Sequence, residues 1–298
     1  MIINAANIRS MEVGFQTVFN KGFGSKESEY GLVATKVQSN TSEEKYGWMG
    51  QIPQMREWIG ERVQKNLSAY DYAIRNKRFE STVTIDRDEV EDDRYGVYAP
   101  VFQNMGAQAK TAPDKTVFDL FHLGFTEKCF DGKAFFNDSH PVGDDKKNTY
   151  SNKGTKKLTQ ESFLAARSQM MSLVGDKGNT LNIVPNLLVV PPALEAKAKE
   201  ILEADTINGT TNVTKGMAQL KVSTYLAAHP DEWFLLATNE FLKPFILQMR
   251  REPKFTAMNK DTDANVFFKN EYVYGADGRW NGGYGFPQMA FGSTGAEA

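Results

Sequence analysis

Six acids crowd residues 86–93: Asp86, Asp88, Glu89, Glu91, Asp92 and Asp93. Carboxylates at that density could grip a divalent cation or divide general-acid and general-base roles between them. Their spacing speaks against it, because on a helix they point around much of the circumference and few could converge on one ion. Asp86 and Glu89 instead have capping-box spacing, and the other acids put negative charge where a helix dipole is positive. His140, in Phe136-Asn137-Asp138-Ser139-His140-Pro141, sits among the residue types of a catalytic triad. Adjacent residues cannot aim at one another as nucleophile, base and orienter, and no Gly-x-Ser-x-Gly elbow occurs. The run reads as a loop held by turn bonds. His122 and His229 are isolated in sequence and suggest no metal centre. The single cysteine, Cys129, excludes an internal disulfide and a four-cysteine zinc site, and reads as an ordinary partly buried thiol. Glycine loops for phosphate or dinucleotide binding are lacking. No catalytic, cofactor-binding or metal-ligating residue is therefore expected, and the chain is read as no enzyme. A hydrolase using the acidic group or His140 is the rival of a different class.

The elements that carry these residues follow from periodicity. Tyr70, Tyr72 and Ile74, then Phe79, Val83 and Ile85, mostly alternate around Arg75, Asn76, Lys77 and Arg78, which predicts a β-hairpin turning at 75–78. From Asp86 the period changes: Val90, Val97, Tyr98, Val101, Phe102 and Met105 form one face of a helix. Pro100 and Pro113 predict a kink or break, with Phe118 and Phe121 continuing the face. Ahead of the hairpin, an amphipathic helix carrying Phe15 and Phe19 ends at Gly22 or Gly24, and residues 29–45 form a polar extended arm. Tyr46, Trp48 and Trp58 gather beside Met49, Pro53 and Met55, a density that suits a partner surface or a core. Further on, Phe163, Ala166 and Met170 mark a helix, Leu187 to Val190 and Trp233 to Leu236 buried strands, and Pro191-Pro192 a helix start. The Thr/Asn/Gly-rich stretch 206–216 predicts an exposed contact loop, and Gly275 to Gly278 a reversal between two strands.

Length and composition bound the class. The 298 residues suggest two lobes, and 41% hydrophobic content can build a core. Thirty-five basic and 37 acidic residues leave a formal charge of −2, so no global basic field draws nucleic acid. No signal segment opens the chain and no apolar run is long enough to cross a membrane, which predicts a reducing, cytosol-like compartment. An arm, a projecting hairpin, aromatic clusters and an exposed loop describe a self-assembling subunit.

Specific runs carry a resemblance across nearly the whole chain. Tyr46-Gly47-Trp48-Met49-Gly50, Trp58-Ile59-Gly60-Glu61-Arg62, Asn76-Lys77-Arg78-Phe79-Glu80 and Arg87-Asp88-Glu89-Val90-Glu91-Asp92-Asp93 occur in order, followed by Tyr95-Gly96, Met105-Gly106, Asp131-Gly132 and His140-Pro141. Together they resemble the major head subunit family of Mu-like phages and prophages. The resemblance implies an α+β, Hong-Kong-97-type major capsid fold of tailed phages. It places an N-terminal arm at 1–36, an E-loop region at 37–85, the spine helix and P domain at 86–186, an A domain at 187–238 and C-terminal P-domain strands at 239–298. It implies a structural protein that forms pentamers and hexamers, closing an icosahedral shell around packaged double-stranded DNA. Implied partners are other copies of the chain, a separate scaffold/protease protein, a portal and weakly held DNA, with no membrane. The implied location is the virion, assembled in the bacterial host cytoplasm. An encapsulin-like nanocompartment shell of the same fold is the near alternative. Interface residues expected on this reading are Trp48, Trp58, Tyr70, Tyr72, Arg78 and Phe79, and, at the capsomer axis, Asn208, Thr210 and Asn212. No Lys/Asn pair for covalent cross-linking can be nominated.

Overall fold

The computed structural model describes residues 4–47, 71–92, 94–142, 145–175 and 178–297. Helix α1 (Ala5–Gly24) starts where the Asn4 side chain accepts the amide of Asn7, and it buries Ile8, Met11, Phe15, Phe19 and Gly22 at helical spacing. Strands β1 (Ala34–Gln38), β2 (Glu43–Lys45), β3 (Ala73–Arg75) and β4 (Lys77–Asp86) lead into a short helix α2 (Arg87–Glu91) and the long α3 (Ala99–Leu123). Next come β5 (His140–Val142), β6 (Asp145–Tyr150), β7 (Lys153–Lys156), α4 (Gln160–Met171), β8 (Leu187–Val190) and α5 (Glu195–Leu202). The remaining elements are β9 (Thr206–Ile207), β10 (Thr210–Thr211), β11 (Gln219–Val222), β12 (Trp233–Leu236), β13 (Phe245–Met258), α6 (Ala264–Lys269), β14 (Glu271–Tyr284) and β15 (Ala290–Glu297).

Two sheets hold the chain together. One has the order β1-β13-β14-β4, with β1 parallel to β13 and the other pairs antiparallel. The other runs β11-β8-β12-β15-β7. Its inner strands Leu187–Val190 and Trp233–Leu236 are buried at every position, as continuous apolar runs require. The C-terminal strand, grouped from sequence with the P-domain strands, pairs instead with β12 and β7.

Several expectations from the sequence are corrected here. β3 and β4 do not form a hairpin. β3 pairs with β2 and β4 with β14, so the chain runs on through Asn76 from one sheet to the next. Asn76 is buried with its amide bonded to Ser39 and Thr41, which a solvent-facing turn would not allow. Gly275 to Gly278 reverse nothing; they lie inside β14, where a Cβ at Gly278 would strike the Trp280 ring at 2.4 Å. The reversal comes earlier, through α6. The acidic segment is half a capping box: Asp86 accepts the Asp88 amide at 2.8 Å, but Glu89 takes the Tyr98 hydroxyl rather than the backbone. Pro100 starts α3 and Pro113 lies inside it, so the expected break falls between α2 and α3.

The ends of residues 46–72 are pinned by buried polar groups. Tyr46 donates its amide to the Tyr72 carbonyl at 2.7 Å and its hydroxyl to Gln248 Oε1 at 2.9 Å. Gln248 Nε2 donates to the Ile74 carbonyl and to Asn76 Oδ1, both at 2.9 Å. Next to this network Glu44 Oε1 accepts from the amides of Asn40 and Thr41 and from the hydroxyls of Ser39 and Thr41. Those bonds pull its carboxyl down to about 2. Such a group stabilises the fold above its unfolded pKa, about 4.3, and the gain is lost as pH falls through the folded value. The melting-temperature difference between wild type and Glu44→Gln is therefore expected to be positive above pH 5 and to shrink towards zero as pH approaches 2 (about two units below the unfolded value).

α1 and α3 cross at two glycines. A Cβ on Gly106 would lie 2.0 Å from the Phe19 carbonyl oxygen, and one on Gly22 would lie 1.9 Å from that of Gln103. The crossing lets Phe15 stack on Phe102 at 4.2 Å. Gly106→Ala should destabilise the unassembled chain by about 1–3 kcal/mol in urea unfolding. Gly14→Ala, in the same helix α1 but with nothing within 4 Å of the added methyl, should stabilise it by about 0.5–1 kcal/mol.

Candidate assembly surfaces

The residues that could do chemistry are tied up one by one. Asp86 caps α2, Glu89 holds Tyr98, Asp88 accepts from Asn270 at 3.1 Å, and Glu91 pairs with Arg87 at 3.6 Å. These four each serve a different partner. His140 is 1% exposed, with Nδ1 2.6 Å from Asp131 and Nε2 3.1 Å from the Phe135 carbonyl. Cys129 Sγ donates to the other Asp131 oxygen at 3.2 Å. Burial works to raise the Asp131 carboxyl, but the His140 hydrogen bond and charge hold it below its ordinary value. Burial and the Asp131 charge push the Cys129 thiol well up, so at neutral pH it is a protonated donor and no nucleophile. This trio staples the loop after α3. His140 and Asp131 are both almost fully buried there.

Among the described residues two groups bring three metal-ligand side chains together: Cys129, Asp131 and His140, and His122, His229 and Glu232. The second corrects the expectation of dispersed histidines, for His122 and His229 stack 3.5 Å apart although distant in sequence. A contact between the end of α3 and the approach to β12 leaves no mark in local spacing.

The expected interface residues fall in different settings. Trp48, Trp58 and Tyr70 lie outside the described residues. Tyr72 is half-buried in its own chain; its hydroxyl accepts the Tyr284 amide at 2.8 Å, and burial pushes its pKa up. Arg78 is exposed on β4, opposite Arg279. Phe79 is half-buried and stacks on Trp280 with 4.2 Å between centroids. That pair lines a groove of about 450 Å³ between α3 and the four-stranded sheet, with Met105, Ala109 and Ala112 on the helix side. In the stretch 206–216, Asn208 and Gly209 have φ of 51° and 77° and turn β9 into β10, the geometry of a tight hairpin turn. Thr210 is exposed there, its hydroxyl donating to the Ile207 carbonyl at 2.9 Å. Asn212 is a correction: it is 6% exposed and donates to the carbonyls of Ile201 and Ala204, closing the end of α5.

Sequence reasoning missed the largest exposed apolar groups. Phe267 and Phe268 on α6 are 76% and 79% exposed, Phe241 is 99% and Val97 70%. Adjacent phenylalanines on one short helix were a usable signal, since successive helical positions diverge by about 100° and one packing face cannot take both. Exposed patches of this kind mark contact sites.

The comparisons agree with one another. The chain matches the family described as the Mu-like prophage major head subunit gpT over residues 8–157, 150–226 and 227–296. It is 33% identical over 290 residues to the major capsid protein of Escherichia phage Mu, covering 97% of this chain and 74% of that one. It is 30% identical to the Mu-like prophage FluMu major head subunit of Haemophilus influenzae, covering 95% of this chain and 71% of that one. A solved structure, the procapsid of bacteriophage JBD30, superposes with a TM-score of 0.61 at 33% identity, covering 98% of this chain and 76% of that one. Together with the two sheets, the long helix and the exposed aromatic ends, these matches show that the chain belongs to the Mu-like major head subunit family, with a tailed-phage capsid fold, and is a phage-type major capsid protein.

Proposed function

We propose that copies of this chain join as pentamers and hexamers that close an icosahedral shell around packaged double-stranded DNA. The observation that carries this reading is the exposure of Phe267 and Phe268 at the far end of the β13–β14 arch. A lone subunit leaves that surface in water; a lattice of copies covers it. The groove floored by Phe79 and Trp280 offers a second landing place, and residues 46–72, held at their root by the Gln248 network, are the segment proposed to reach onto a neighbour. In this scheme α3 is the spine, the four-stranded sheet with α1 and α6 makes the P domain, and the five-stranded sheet makes the A domain. Arg78 and the Asn208–Thr210 turn are proposed contacts, and Asn212 supports that turn from inside.

Individual contacts can be weak because each subunit makes several at once, so linkage multiplies them. A formal charge of −2 suits a wall that touches DNA lightly, since affinity climbs with every phosphate neutralised. A separate scaffold/protease protein and a portal complete the proposed partners, with assembly in the bacterial host cytoplasm. The work of the chain is structural rather than catalytic, in keeping with Asp86, Asp88, Glu89 and Glu91 each serving a different local bond.

Phe267→Ser/Phe268→Ser should leave a folded chain with unchanged circular dichroism and melting temperature, but sedimentation and electron microscopy should find few or no closed particles. Normal yields of normal particles would remove α6 from the interface.

A further inference from the structure

The imidazoles of His122 and His229 lie face to face, 3.5 Å between centroids and 7° from parallel. Glu232 Oε1 stands 2.8 Å from His122 Nδ1 and 4.0 Å from His229 Nδ1. One donor atom from each of the three residues lies within 4.8 Å of the other two. Neighbouring ligands of a tetrahedral ion with bonds of about 2.0–2.2 Å sit roughly 3.3 Å apart; because each imidazole lone pair lies in its ring plane, the two rings must turn out of their stack for both nitrogens to face one ion. Glu232 is 8% exposed, and its Oε2 is buried without a hydrogen-bond partner among the described residues. A buried carboxylate oxygen in that state is costly unless a positive group completes it.

We propose that His122, His229 and Glu232 bind one divalent transition-metal ion of the zinc type, tying the end of α3 to the approach of β12. Two imidazole nitrogens and one carboxylate oxygen suit zinc, cobalt or nickel, whereas magnesium and calcium favour all-oxygen shells. In the ligating form each ring is neutral, with the Nδ1 lone pair turned to the ion and its single proton on Nε2. The histidine side chains are 44% and 32% exposed, so the remaining coordination positions open to solvent and take water. His122 is in the last turn of α3, and Phe121 beside it already packs on Phe234 of β12 at 4.9 Å. The ion would cross-link two elements that are in contact without it. Nothing in this inference depends on the shell reading.

The test uses the purified full chain, stripped with a chelator and titrated with zinc by calorimetry and with cobalt by visible absorption. One metal per chain is expected, with His122→Ala and His229→Ala each weakening it by tenfold or more and Glu232→Gln, which keeps a hydrogen-bond acceptor for His122, doing the same. In the wild type, zinc should protect His122 and His229 from carbethoxylation mapped by peptide mass, a readout that needs no variant. Absence of binding at large metal excess would overturn the proposal. So would unchanged affinity in the double histidine variant, unprotected histidines, or a cobalt–thiolate charge-transfer band assigning the ion to Cys129.

Discussion

One helix serves two cores, and the rest of the structure depends on that sharing. α3 has 25 residues, about 37 Å at 1.5 Å per residue. Its first half packs Phe102 and Met105 against α1 and the strand residues Phe255 and Tyr274. Its second half wedges Phe118 and Phe121 between the two sheets, with Phe121 at 4.5 Å from Phe245 of one and 4.9 Å from Phe234 of the other. Each sheet also has a helix cover of its own, α4 and α5 on the five-stranded sheet and α1 on the four-stranded one, but α3 is common to both. Hydrophobic burial along both halves of one helix ties the two sheets to a common core.

The groups that look reactive on paper are structural in the fold. Asp131, His140 and Cys129 form a closed set behind Phe135 and Phe136, and buried pairs of this kind fix geometry more than they add stability. Asp114 behaves alike: on α3, it accepts the amides of Glu29 and Tyr30 at 2.9 and 2.8 Å and so ties the polar arm to the helix. Burial raises its carboxyl against those two bonds. Rigid interiors and apolar extremities divide the labour between holding a shape and meeting a neighbour.

Much of this was legible in residue order because local pattern and burial coincide. Leu187 to Val190 and Trp233 to Leu236 read as buried strands and are; Pro191-Pro192 opens a helical segment; Phe163, Ala166 and Met170 share one helix face. Errors arose where partners are remote. The alternation of Tyr72, Ile74 and Phe79 is real, but each half pairs with a different distant strand, which alternation cannot reveal. The glycines of β14 resemble turn formers yet exist to admit neighbours such as Trp280 and Ile74. His122 and His229 meet only because the fold folds back on α3. Pro113 is tolerated within α3, since packing of Val117, Phe118 and Phe121 outweighs one missing hydrogen bond.

The parallel pairing of β1 with β13 has a bearing on timing. Ala34 meets Phe245, and Arg250 bonds the Ser39 carbonyl 211 residues away. While the polypeptide is being translated, its early segments therefore wait for their partners until the final portion has left the ribosome. Chains with such distant pairings fold slowly because loop closure precedes any reward. A half-made subunit consequently lacks the strand against which β1 closes the four-stranded sheet.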